Sequence, residues 1–176
     1  LVVDKTGTLT EGKPAVSSWE LFEDAALSKD ALLSLTAGVE QSSEHPLARA
    51  IVRVAQEKNL PLAPASDFRA TPGGGVEGRV LGKTVLAGSA SFLAERGAGA
   101  PDLQNMTTAM SKSLAGTPIF VAVDGRPAGW FLLSDKIKSS TPQAIRDLRA
   151  AGVRLVMLTG DRREAAARVA GELGIQ

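Results

Sequence analysis

The sequence contains no cysteine and a single histidine among its 176 residues. A disulfide framework, a thiolate metal site and a histidine cage for a transition metal are therefore excluded within this chain. Its 20 basic residues nearly balance its 19 acidic ones, so the charge gives no argument for binding nucleic acid or an anionic membrane surface. No apolar run approaches the roughly 18–20 residues that cross a bilayer. With 44% hydrophobic and 22% charged residues, the composition is typical of a globular protein.

The two ends of the chain carry the pattern of a parallel α/β domain. The opening LVVD is short, apolar and β-branched, which predicts a buried strand that delivers Asp4 to a loop. Residues 141–152 predict a helix capped by Thr141. Residues 153–159 predict a second buried strand and residues 163–174 another helix. This order of elements implies parallel βαβ packing.

The middle of the chain predicts a different class of structure. Hairpin turns are predicted at Gly82-Lys83 and at Asp124-Gly125, and hairpins need antiparallel pairing. The simplest arrangement is an antiparallel α+β domain inserted into a split α/β domain. Four helices are predicted in this block, at residues 29–39, 46–58, 90–96 and 102–115. The predicted segments are 1–13 and 133–176 for the split domain and 14–132 for the inserted one.

The end of the first predicted strand is a candidate catalytic position. In open α/β sheets, ligands gather outside the carboxyl ends of the parallel strands, and the sequence places Asp4 at one such end and Thr159, Gly160 and Asp161 at another. Such loops suit phosphate, and a carboxylate can attack a phosphoryl group to form an aspartyl-phosphate. Lys5, a bound Mg²⁺ and backbone donors would neutralise the charge. The alternative is a strand-to-turn junction in which Asp4 is only a capping residue.

The string DKTGTLTEG at residues 4–12 resembles the phosphorylation motif of the P-type ATPases, and TGD at residues 159–161 resembles their second phosphate-site motif. The resemblance implies a truncated, Rossmann-like phosphorylation domain of the haloacid-dehalogenase type, in which Asp4 is phosphorylated. It also implies that Asp4 and the Thr6 carbonyl bind Mg²⁺. The residues that would contact the phosphate are Lys5, Thr6, Thr159, Gly160 and Asp161.

Thr6 separates this motif from the wider phosphatase superfamily that the fold also resembles. Those hydrolases usually carry a second aspartate at this position, which acts as acid and base. A threonine hydroxyl does not titrate near neutral pH and cannot activate water efficiently. A phosphorylated Asp4 should therefore persist, which suits an ion pump. A soluble phosphohydrolase of the same superfamily and a non-catalytic nucleotide-binding module are the two alternatives.

Two strings in the middle block, SEHPL at residues 43–47 and GGG at residues 73–75, resemble the heavy-metal-transporting branch of the P-type ATPases. The resemblance implies that the inserted domain binds ATP, with His45 positioning the nucleotide and Glu40 contacting the adenine. On their own, the histidine could be a helix cap and the triple glycine a flexible turn. The glycines expected to let the backbone approach the nucleotide are Gly73, Gly75 and Gly88.

The sequence departs from the family pattern at two positions. Ser89 stands where the family usually has asparagine, although a serine can still cap the helix that follows. Lys136 replaces a proline at the junction that returns to the phosphorylation domain, while Asp135 and Lys138 match the pattern. Asp135 is equally well interpreted as a cap or turn residue and as a functional one.

The resemblance as a whole predicts the ATP-binding and phosphorylation region of a heavy-metal-transporting P-type ATPase, with ATP and Mg²⁺ as cofactors. Cu⁺ is the expected ion, because residues 117–125 and 141–161 look most like the copper members. The expected partners are the actuator and transmembrane domains of the parent pump, which would place this region on the cytoplasmic side of a membrane. Both ends indicate a piece of a longer protein. Because a downstream acidic motif of the family is missing, we expect this piece to bind nucleotide but to phosphorylate poorly.

Overall fold

A computed structural model describes residues 1–100, 102–113, 116–159 and 163–175 of the chain. The strands within these residues are β1 (Val2–Asp4), β2 (Thr10–Leu21), β3 (Ser66–Thr71), β4 (Gly75–Val80), β5 (Lys83–Gly88), β6 (Thr117–Val123), β7 (Arg126–Ile137) and β8 (Val156–Leu158). The helices are α1 (Lys29–Glu40), α2 (Pro46–Glu57), α3 (Ala90–Glu95), α4 (Leu103–Ser113), α5 (Thr141–Ala150) and α6 (Arg163–Leu173). An irregular turn, the motif loop (Lys5–Leu9), joins β1 to β2.

The larger sheet is antiparallel and has six strands in the order β2-β7-β6-β5-β4-β3. Successive residues of a strand point to opposite faces, and here both faces are covered by helices. Val85 and Val121 pack into an apolar cluster with residues of α1 and α2. Their neighbours Leu86 and Phe120 pack into a second cluster with residues of α3 and α4. The antiparallel block predicted from the hairpins is therefore a helix–sheet–helix sandwich.

Helices α1 and α2 meet at a short connection that matters for the site. The hydroxyl of Ser28 accepts a hydrogen bond from the Ala31 amide at 3.1 Å and caps α1. Pro46 occupies the first turn of α2, where a missing amide hydrogen does no harm. Because α1 ends at Glu40 and α2 begins at Pro46, the two residues lie at the same end of the helix pair. The predicted bounds of both helices are correct to within one residue.

The smaller sheet confirms the parallel packing expected at the chain ends. Strands β1 and β8 pair in parallel over three residues, with Asp4 opposite Leu158. An apolar cluster that includes Leu9, Ile145 and Leu173 packs around this pair. Two segments separated by about 150 residues in the chain thus form one unit, as a split α/β domain requires.

The turn of the β4–β5 hairpin was predicted one residue too late. The two residues with left-handed backbone are Leu81 (φ +51°) and Gly82 (φ +78°), not Gly82 and Lys83. A leucine rarely adopts this conformation, which is why the sequence pattern favoured the later pair. The other predicted turn is correct, because Asp124 (φ +50°) and Gly125 (φ +78°) have the expected conformation.

The predicted cap of α5 is also wrong. Ser140 precedes the helix without a capping side-chain bond, and Thr141 is the first helical residue. The Thr141 hydroxyl instead donates a hydrogen bond to the carbonyl oxygen of Leu9, 2.8 Å away. Its role is to hold the end of the motif loop, which no local pattern could indicate.

The sequence did not predict strands β2 and β3. Strand β2 has an irregular burial pattern and register shifts around Pro14 and Ser18, and β3 is an edge strand with mostly exposed residues. Neither shows the alternation that predicts a strand. Both β2 and β7 continue across the proposed segment boundaries at 13/14 and 132/133, which stay a prediction. Within the described ranges, no helix is both long and apolar enough to span a membrane.

Candidate nucleotide and phosphate site

The candidate phosphorylation residue lies at the carboxyl end of β1. Asp4 is the last residue of that strand and is exposed, and the side chain makes no capping bond to the loop that follows. Thr159 directly follows β8, the neighbouring parallel strand. The structure therefore brings these two predicted site residues to adjacent strand ends. The other two members of the TGD string, Gly160 and Asp161, lie outside the described residues.

The two residues after Asp4 differ in their surroundings. Lys5 is buried, with 9% of its surface exposed, whereas Thr6 is exposed. Gly7 has a φ of +79°, a conformation that glycine adopts without steric cost. The chain therefore turns sharply at Gly7, three residues after the candidate nucleophile.

A buried threonine that sequence reasoning missed closes the motif loop. The hydroxyl oxygen of Thr10 lies 3.0 Å from the Lys5 carbonyl oxygen and 2.6 Å from Oδ2 of Asp135. Thr10 has no exposed surface. Its sequence separation of 125 residues from Asp135 explains why no local motif identified the pair.

Lys138 binds the motif loop and Asp135 binds the start of β2, and both residues match the family pattern. Asp135 also accepts hydrogen bonds from the amides of Gly12 and Lys13, each at 3.2 Å. Lys138 donates from Nζ to the Gly7 carbonyl at 2.5 Å. Charge-assisted hydrogen bonds of this kind are the stronger ones. These contacts give Asp135 a positioning role for the start of β2, directly after the motif loop, and none of them uses the residue at position 136.

The five residues predicted to bind nucleotide line one cavity of about 670 Å³. It lies between the α1–α2 connection and the ends of β3, β4 and β5. A cavity of this size is in the range that holds small molecules. The described residues that line it include no lysine or arginine, so it suits a base and sugar better than a triphosphate. The five predicted residues are Glu40, His45, Gly73, Gly75 and Gly88.

Glu40 is the buried titratable group of this cavity. It is the last residue of α1 and has 5% of its surface exposed. Burial disfavours the charged form and raises the pKa of the Glu40 carboxyl to about 7. A carboxyl group with this pKa, facing a cavity, is a candidate for ligand recognition.

His45 serves as a helix cap and also lines the cavity. Its Nδ1 accepts a hydrogen bond from the Leu47 amide at 3.2 Å. The residue is exposed, and it contributes to the cavity wall together with Glu40. The capping bond orients the ring, which leaves Nε2 for other contacts. The two interpretations offered by the sequence are therefore compatible.

The glycines of the cavity also have structural roles, beside the predicted one of letting the backbone approach the nucleotide. Gly75 and Gly88 pair across β4 and β5, and a Cβ on Gly75 would lie 2.3 Å from the Ala87 carbonyl oxygen. A Cβ on Gly88 would lie 2.5 Å from the Gly74 carbonyl oxygen. Gly73 has a φ of +70°, and nothing lies within 4 Å of the position that a Cβ would occupy. The protein thus needs two of these glycines for close packing and the third for its turn.

Ser89 stands where the family usually has asparagine, and it still caps helix α3. The Ser89 hydroxyl accepts a hydrogen bond from the Phe92 amide at 3.2 Å and caps α3, as predicted. Its own amide donates to the Gly74 carbonyl at 2.9 Å. This bond ties the glycine turn to the start of α3 and fixes one wall of the cavity.

Comparisons with known proteins agree with this arrangement. A family model described as haloacid dehalogenase-like hydrolase matches residues 1–176. A copper-exporting P-type ATPase of Legionella pneumophila is 44% identical over 100% of this chain and 23% of its own length. A silver exporting P-type ATPase of Salmonella typhimurium is 42% identical over 99% of this chain and 21% of its own length. The chain thus spans less than a quarter of these relatives.

Solved structures give the same match in three dimensions. A zinc-transporting PIB-type ATPase in its E2.Pi state superposes with a TM-score of 0.81 at 38% identity, over 99% of this chain and 28% of that one. The catalytic domain of a CPx-ATPase, whose conformational changes upon nucleotide binding were described, superposes with a TM-score of 0.69 at 26% identity. That match covers 99% of this chain and 58% of the other.

Proposed function

Because the chain belongs to the haloacid dehalogenase-like hydrolase family and is a homologue of the heavy-metal P-type ATPases, we propose that it is the ATP-binding and phosphorylation region of a metal-transporting pump. In the intact protein, ATP would occupy the cavity of the six-stranded sheet, and its γ-phosphate would be transferred to Asp4. The remaining actuator and transmembrane domains would be its partners, and this region would face the cytoplasm.

One observation is the main support for the proposal. The five residues that the sequence strings single out for nucleotide binding, between positions 40 and 88, line one cavity of suitable size. They come from the end of α1, the start of α2 and two hairpin ends, so local sequence spacing alone does not bring them together. A nucleotide base held between Glu40 and the glycine turns accounts for their convergence.

The cavity and the segment around Asp4 differ in their charged side chains in a way that suits ATP. The cavity offers no cationic side chain among its described lining residues, so the triphosphate needs its positive charge elsewhere. Lys5 follows Asp4 directly, and the exposed Asp4 carboxylate is available as a nucleophile. The Asp4 oxygen would bond to the γ-phosphorus while the bond to the leaving ADP oxygen breaks. Thr6, in place of an acid, leaves the resulting aspartyl-phosphate without a general base at that position.

The oxygen donors at the end of β1 fit Mg²⁺, although they are too few to bind it alone. Mg²⁺ prefers about six oxygen ligands, and Asp4 with the Thr6 carbonyl would provide two. No group of three or more histidine or acidic side chains in the described part of the chain could hold a metal ion. When bound, Mg²⁺ would neutralise the oxygens of the transferred phosphoryl group. The rest of its ligands would come from ATP, water and the longer protein.

Cu⁺ is the transported ion that we propose. Several relatives with 37–44% identity are described as copper-exporting or copper-transporting ATPases. Others of comparable similarity are described as silver exporting or zinc-transporting. The described residues contain no helix that could span a membrane and contact the ion, so the choice of ion rests on similarity to these relatives alone.

Calorimetric titration of the chain with ATP and with GTP tests the nucleotide site. We expect ATP to bind more tightly than GTP, and His45→Gln to weaken ATP binding by about tenfold, equivalent to about 1.4 kcal/mol. His45→Asn is the matched control, because asparagine is a good N-cap and should keep α2 stable while losing the same ring. Equal ATP affinity in the native chain and His45→Asn would show that the ring only caps the helix. No binding of ATP to the native chain would contradict the proposed function.

A further inference from the structure

We propose that Glu40 recognises adenine as the neutral carboxylic acid, donating its O–H to ring nitrogen N1 and accepting a hydrogen bond from the exocyclic amino group. The inference rests on the proposed nucleotide site and concerns the protonation state in which Glu40 binds the base. Its consequence is that ionisation of Glu40 shifts the preference of the site away from adenine.

The position of Glu40 in the fold disfavours a negative charge. Its side chain is almost completely buried at the edge of an otherwise largely apolar cavity wall. It is also the last residue of α1, where the carbonyl ends of the helix carry partial negative charge. An ionised carboxylate there would lose hydration and face an unfavourable dipole.

No cationic side chain among the described residues forms an ion pair with Glu40 that would offset the lost hydration and the unfavourable helix dipole. Burial is the one cause that shifts the pKa of Glu40, and the ion pairs formed by the described residues do not include it. His45 is the other titratable side chain in the cavity wall. The elements packed against α1 are α2, β2, β4 and β5. The charged side chains on these elements and on the α1–α2 connection are Glu44, Arg49, Arg53, Glu57, Glu11, Lys13, Glu20, Glu77, Arg79 and Lys83.

The pKa of about 7 means that both forms of Glu40 are populated near neutral pH. A neutral carboxyl group has one donor and one acceptor side by side, whereas a carboxylate has acceptors only. The edge of adenine offers an amino donor beside the N1 acceptor, which matches the neutral acid. Guanine offers N1–H and an amino group, two adjacent donors that match the carboxylate. The proton on Glu40 therefore favours adenine, and its loss favours guanine.

The test is the ratio of the dissociation constants of GTP and ATP for the native chain between pH 6 and pH 8.5. The two nucleotides share their triphosphate and meet the same His45, so the contributions of these common contacts largely cancel in the ratio. With a pKa of about 7, the neutral fraction of Glu40 falls about thirtyfold over this range. We expect the ratio to fall by tenfold or more as the pH rises. A ratio that is constant or rises would overturn the inference.

Glu40→Gln provides the second arm, because an amide keeps one donor and one acceptor but does not titrate. We expect this variant to bind ATP within about threefold of the native affinity at pH 6, with a ratio that no longer depends on pH. Loss of ATP binding in a folded Glu40→Gln chain would show that the ionised form is the one that binds. ATP binding with a pH-independent ratio in the native chain would refute this inference alone. Absence of ATP binding at every pH would refute the proposed function as well.

Discussion

Asp4→Asn is expected to abolish acid-stable phosphoenzyme in the full-length protein while leaving the fold intact. Asparagine has nearly the shape of aspartate, but its amide is not a nucleophile toward phosphorus. The Asp4 side chain is exposed and makes no capping bond, so its replacement should change stability by less than about 0.5 kcal/mol. The measurement is acid-quenched incorporation of label from γ-labelled ATP, together with a thermal unfolding curve.

Glu11→Gln is the matched control for this variant. Glu11 is an exposed acid seven residues further along the same segment, and the proposed chemistry does not use it. The control should label as the native protein does. Stoichiometric labelling of Asp4→Asn would show that another residue accepts the phosphoryl group and would remove the basis for a P-type mechanism.

Gly75→Ala is expected to destabilise the chain by about 3 kcal/mol, at the upper end of the range for overpacked positions. The added Cβ would lie 2.3 Å from the Ala87 carbonyl oxygen and 2.7 Å from the Gly88 Cα. Both are backbone atoms of the paired strand, so the hairpin must open to accommodate it. Gly88→Ala should behave similarly, because its Cβ would lie 2.5 Å from the Gly74 carbonyl oxygen. Urea unfolding of the variants measures the loss.

Gly73→Ala separates this packing effect from the cost of a left-handed backbone. Gly73 has a φ of +70° and nothing within 4 Å of its Cβ position, so alanine there should cost about 1 kcal/mol. Equal losses in Gly73→Ala and Gly75→Ala would contradict the packing argument. A stable Gly75→Ala that no longer binds ATP would show that this glycine serves the ligand and not the packing of the strands.

Local patterns predicted most of the secondary structure correctly. Helix α2 was predicted from Pro46 and its apolar spacing, and the Asp124-Gly125 turn from its residue types. Strands β2 and β3 were missed because neither shows the alternation that predicts a strand, and the other errors occurred where tertiary contacts override local preference. Leu81 adopts a left-handed conformation that its residue type disfavours, and Thr141 binds Leu9 rather than capping its own helix.

The candidate site likewise contains residues that the sequence could indicate and residues that it could not. The sequence resemblance singled out Asp4, Glu40 and His45 as candidates, because each lies in or near a short characteristic string. The same strings could not reveal that Thr10 and Asp135 meet at 2.6 Å, since that pair depends on β2 lying beside β7. Nor could they show that a histidine can cap a helix and line a cavity at once.

The most direct test of this account is an NMR titration of the chain with ATP, with the backbone amide signals assigned. We predict that the largest shifts occur at the amides of Gly73, Gly74 and Gly88, around the larger cavity. A second cavity of about 350 Å³, which includes Lys83 and Arg126 in its wall, provides an internal comparison and should show little change. Largest shifts around that second cavity, or no shifts at all, would contradict the assignment of this region as the ATP site.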